Sequence, residues 1–108
     1  MKAQIQQLLL ADLDQRVPAL RSAQAVATTP SGGWLRAVRQ ALNLAQAEAA
    51  KRVGVTQQAF AQFERGELRG TLSLGRLQRA AEAMDCDVVC YLVPRAARAR
   101  SFGELARQ

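Results

Sequence analysis

The chain has 108 residues, a formal net charge of +6 from fifteen Lys and Arg against nine Asp and Glu, and no histidine. That length suggests one domain with a core large enough to fold without disulfides or metal, and the charge points to a polyanionic partner. The missing histidine, together with the lack of a glycine-rich nucleotide loop or usefully spaced carboxylates, argues against an enzyme; the lack of a run of some 20 apolar residues argues against a membrane span.

Alanine and leucine dominate the apolar residues and aromatics make up 5% of the chain, a helical composition. An all-α fold is therefore expected, with one short strand near the C-terminus. Residues 1–27 read as an N-terminal helical segment. Ile5, Leu8, Leu9 and Leu13 recur at helical spacing, and Pro18 is expected to end or bend that helix before "PALRSAQAVA" starts another. The stretch is flanked by Gln and Asp and does not resemble a secretion signal, so the chain is expected to be cytoplasmic. Residues 28–33, "TTPSGG" from Thr28, are a turn-forming linker.

Residues 34–84 carry the densest helical patterning. Trp34, Leu35, Val38 and Leu42 form one apolar stripe, with Trp34 expected as a core anchor. Ala49, Ala50 and Val53 form a second, closed by Gly54 at a position needing positive φ. In "GVTQQAFAQFERG", Thr56 reads as an N-cap and, at the head of the next helix, as a candidate DNA contact. Phe60 and Phe63 read as the inward anchors of the next helix, and Gly66 as its left-handed C-cap. Leu74, Leu77, Ala80, Ala81 and Met84 mark a further helix begun near Thr71 or Ser73.

The outward face of the helix after Thr56 holds Gln57, Gln58 and Gln62, with Arg65 below them. Glutamine carries no charge for a phosphate, but its amide offers a donor and an acceptor together, which matches adenine N6 and N7 in the major groove. Arg65 suits a phosphate or a guanine edge. Gln46, at the start of the preceding helix, is placed to donate to a phosphate with help from the helix dipole. Arg69 and Arg76 suit sequence-independent phosphate contacts. The small Ala50 and the turn at Gly54 supply what a tight helix–turn–helix crossing needs.

Residues 85–94, "DCDVVCYLVP", are rich in β formers. A strand over 88–93 is expected, bounded by Pro94. Its pairing is open: with a second copy, with the N-terminal segment, or with another protein. In an extended stretch Cys86 and Cys90 lie roughly 13 Å apart, too far for a disulfide, and read as buried reduced thiols. Residues 95–108 form a basic tail or weak helix. No metal site and no cofactor are expected.

These motifs carry a resemblance. Residues 34–84, and "LAQAEAAKRVGVTQQAFAQFERG" above all, resemble the lambdoid phage repressor type of helix-turn-helix, the Xre family. The resemblance implies a fold of about five helices that binds double-stranded DNA as a transcriptional regulator. It puts Gln57, Gln58 and Gln62 at base-contacting positions and Gln46 at a phosphate-contacting one. It also implies an ion pair of Arg39 with Glu64, and an inward-facing Glu64 would need such a cation. Ala49 departs from the family, which has a larger aliphatic there, as do Phe60 and Phe63, where smaller aliphatics are common.

The order of "LDQRVPALR", a Pro/Gly linker into "GWLRAVRQAL", the motif, "TLSLGRLQRAAEAMDCDVVCYLVP" and a basic tail resembles the mobile mystery protein A family. That resemblance implies a neighbouring Fic-domain partner and an antitoxin-like role. A Ser/Thr-xxx-Glu-Gly or Glu-Asn inhibitory motif is absent from the sequence. Two readings result: a homodimeric DNA-binding repressor, and a neutraliser of a toxic protein partner.

Overall fold

A computed structural model describes residues 2–108. Six helices follow in order: α1 (Lys2–Val26), α2 (Trp34–Ala41), α3 (Gln46–Val53), α4 (Gln57–Arg69), α5 (Leu74–Ala83) and α6 (Phe102–Ala106). The chain divides into two compact units. One comprises residues up to Thr28 together with Cys90–Gln108, the other Thr29–Val89.

The second unit holds α2 to α5. Its core gathers Leu35, Leu44, Ala49, Ala50, Phe60, Phe63, Ala80 and Met84. Phe60 and Ala49 are fully buried in it. Several helix ends have a local cause. Thr56 Oγ1 accepts from Ala59 N at 3.1 Å and starts α4; Ser73 Oγ accepts from Arg76 N at 3.2 Å and starts α5. Gly54, at φ 88°, ends α3, and both its N–H and that of Val55 donate to Ala50 O.

The end of α4 differs from the expectation. Gly66 is not its C-cap: the helix runs on to Arg69, and Gly70 at φ 73° turns the chain. Thr71 N donates to Gly66 O at 2.9 Å and Gly70 N to Glu67 O at 3.2 Å, the paired bonds of a Schellman motif. Gly66 lies buried inside the helix instead, where an added Cβ would just touch Leu72 Cβ and Thr71 Oγ1 at 3.4 Å. Trp34 is not a core anchor either. It is 46% exposed, and Leu35 takes the buried place one residue later. Here it is the backbone of Trp34 that is used: Trp34 N and Leu35 N donate to Glu67 Oε2 and Oε1 at 2.6 and 2.8 Å. A carboxylate from α4 therefore caps α2, where the dipole favours negative charge. Gly33, at φ 93°, leaves room for that carboxylate, which a Cβ would meet at 3.0 Å.

In the first unit, α1 continues through Pro18 rather than ending there. Proline inside a helix removes one hydrogen bond and costs about 3 kcal/mol in isolation. Contacts on one face straddle it. Asp14 Oδ1 and Oδ2 accept from Phe102 N and Gly103 N at 2.7 and 3.1 Å. Val17 is buried, and Arg21 Nη2 donates to Ala99 O at 3.1 Å. The same contacts fold residues 95–108 into a turn followed by α6, with Ser101 as N-cap.

No strand forms among the described residues, so the strand expected over 88–93 is absent. A strand exists only through its ladder, and no backbone group from Asp87 to Pro94 gives or takes a backbone hydrogen bond among those residues. Cys86 packs partly against the core, whereas Cys90 is exposed rather than buried; both are free thiols.

Candidate nucleic-acid interface

The candidate interface is the outer face of α4 and what surrounds it. Phe60 and Phe63, with ring centroids 6.2 Å apart, fix the inner face. Helical spacing then turns Gln58, Gln62, Arg65 and Arg69 outward on one stripe, with Gln57 at the first helical position. All five are exposed, and none of their side chains is engaged in a hydrogen bond or ion pair among the described residues. Ala61, half-buried between them, adds no bulk to the stripe. Thr56 keeps its hydroxyl on the backbone of its own helix.

The stripe is held in place by a buried polar network. Arg39 Nε lies 2.6 Å from Glu64 Oε2 and Arg39 Nη2 lies 3.2 Å from Oε1. The two side chains are 11% and 7% exposed, so this pair is poorly screened by solvent. Arg39 Nη1 also donates to Leu44 O at 2.9 Å, and Gln46 Nε2 donates to Glu64 Oε1 at 3.0 Å. The carboxylate on α4 thus ties α2 and α3 directly, and its partner Arg39 ties the turn before α3. Gln46 is half-buried. One of its amide hydrogens is on Glu64, and the other remains for an acceptor outside.

Beside α4, an open groove towards α5 is lined by Gln62, Arg65, Arg69, Thr71, Arg76 and Arg79. Arg79 did not emerge from the sequence as a site residue. Its signal is its spacing: it lies three residues after Arg76, on the same side of a short helix. Glu67 was missed too, because a side chain that caps a helix 32 residues away leaves no local pattern.

The helix-turn-helix family model matches residues 35–89, just over half of the chain. The chain belongs to the helix-turn-helix family, in its Xre-like form. The match takes in the buried network, the amide stripe and the arginine groove. As a helix-turn-helix domain, residues 35–89 are of a DNA-binding type. No curated protein and no solved structure matches the chain. No helix among the described residues is long and apolar enough to cross a membrane.

Proposed function

We propose that the chain is a sequence-specific DNA-binding transcriptional regulator, acting as a homodimer to repress the genes at its operator. The observation that carries this reading is the stripe of unengaged amides, Gln57, Gln58 and Gln62, presented on α4 over two buried phenylalanine rings. In the proposed complex α4 enters the major groove and the amides read base edges. Gln46 and Arg69 hold phosphates, and Arg65 holds a phosphate or a guanine. Thr56 sets where α4 begins and so how deep Gln57 reaches. A dimer addresses two half-sites about 34 Å apart, one turn of the duplex. The test is a mobility shift on DNA upstream of the chain's own gene at about 50 mM salt. A retarded band that survives excess random DNA supports the reading; folded protein giving no shift rejects it.

A second reading is favoured by α1. Ile5, Leu8 and Leu9 are each more than half exposed, and Leu13 nearly so. A surface of this kind marks an interaction site. It suits an antitoxin-like role against a Fic-domain partner, as the resemblance to mobile mystery protein A implies. Co-expression of the chain with the product of the adjacent gene tests it. Co-purification that is lost on changing Leu8 and Leu9 to Ser supports this role, and separate elution of two folded proteins removes it.

A further inference from the structure

Between Val88 and Val93 the chain places six consecutive residues, all apolar except the tyrosine hydroxyl, with Val89 and Leu92 each 82% exposed. The segment from Asp87 to Pro94 makes no backbone hydrogen bond among the described residues. Exposed β formers with an unpaired backbone are a template for another strand. The ends of the segment are charged and exposed, Asp87 before it and Arg95 after it.

We infer that this segment pairs with the same segment of a second copy, antiparallel, about a two-fold axis at Tyr91. This register rests on the homodimer reading above. Charge selects the centre, and proline then selects which pairs are hydrogen-bonded. In an antiparallel pair centred on Tyr91, each residue faces one whose number mirrors its own about 91, so Asp87 faces Arg95 of the other copy at both ends. Centring on Cys90 or Leu92 breaks both ion pairs. Proline gives the second constraint. Opposed residues alternate between hydrogen-bonded and non-bonded pairs. With Tyr91 in a hydrogen-bonded pair, Val89 faces Val93 in the same class, and Pro94 falls opposite Val88 in a non-bonded pair. There its missing N–H is not required. Cys90 and Leu92 then face each other in the other non-bonded pair, with Cα atoms about 4.5 Å apart.

The experiment uses the full chain without DNA. Sedimentation equilibrium gives the dimer Kd for the parent, for Asp87→Arg, for Arg95→Asp and for the double exchange. Each single exchange puts like charges opposite at both ends and is expected to raise the Kd about tenfold. The double exchange is expected to bring it back to within about threefold of the parent. In a Cys86→Ser background, Leu92→Cys should oxidise to a disulfide-linked dimer through Cys90 of the other copy. Val93→Cys with Cys90→Ser should not, because the two new thiols lie about 13 Å apart in this register. A double exchange as weak as the singles, or the opposite cross-linking pattern, overturns the register and leaves the dimer standing. A chain that is monomeric at about 100 µM overturns the register and the dimer together. DNA binding, read separately by anisotropy, keeps either failure distinct from failure of the regulator reading.

Discussion

Glu64 is the only buried charged residue among the described residues, and it has no apolar alternative to its partners. Its oxygens take three hydrogen bonds, two from Arg39 and one from Gln46. Removing one partner of a buried pair strands the other. Glu64→Ala is therefore expected to cost about 3 kcal/mol, measured by urea denaturation. Changing both ends at once, Arg39→Met with Glu64→Leu, should cost less than half as much, because no charge is left uncompensated. A double variant as unstable as Glu64→Ala alone would mean that the network matters for geometry beyond its charges. Gly33 gives a second test at this scale. Gly33→Ala must adopt a positive φ and also press on the Glu67 carboxylate. It is expected to lower stability by about 2 kcal/mol. An Ala variant as stable as the parent would show that Glu67 can swing away without loss, and that its cap on α2 contributes little.

At the scale of elements, what the sequence discloses is local. Thr56 and Ser73 stand before amphipathic runs and act as caps; Gly54 follows the run it ends. Phe60 and Phe63, three apart, show which side of α4 faces inward. What it hides depends on distant partners. The Gly66 reading failed because Gly70 competes for the same role and takes it, which leaves Gly66 buried inside the helix. The helix end expected at Pro18 is absent, and the contacts that straddle the proline come from residues some 80 positions away. The expected strand failed because a ladder needs a second segment, and none pairs with it among the described residues. Asp14 is the clearest case. It looks like an ordinary exposed acid in a helix, yet its two oxygens cap α6. Asp14→Ala is expected to lower the stability of the first unit by about 1 kcal/mol and to raise amide exchange at Phe102 and Gly103. Unchanged exchange there would mean that α6 is held by apolar contacts alone.

For the molecule as a whole, the charge is unevenly spread. Residues 29–89 carry eight basic and six acidic side chains, so this unit contributes little of the +6. Its acids, however, are not all available to oppose a polyanion. Glu64 is neutralised inside by Arg39, and Glu67 is committed to the N–H groups that begin α2. The arginines at the groove beside α4 are exposed and unopposed in that groove. Affinity and specificity should therefore separate on this surface. Replacing Arg69 and Arg76 together by Gln is expected to weaken operator and random DNA by the same factor. It should also make the slope of log K against log salt shallower by about 1.8, two phosphate contacts' worth of counterion release. Gln58→Ala should leave that slope unchanged and cost about 1–3 kcal/mol on the operator only. Anisotropy titrations at several salt concentrations, on both DNAs, measure all of these quantities. An unaltered slope in the double arginine variant would place the groove away from the backbone. Equal losses on both DNAs for Gln58→Ala would remove base reading from α4 while leaving it as a docking element.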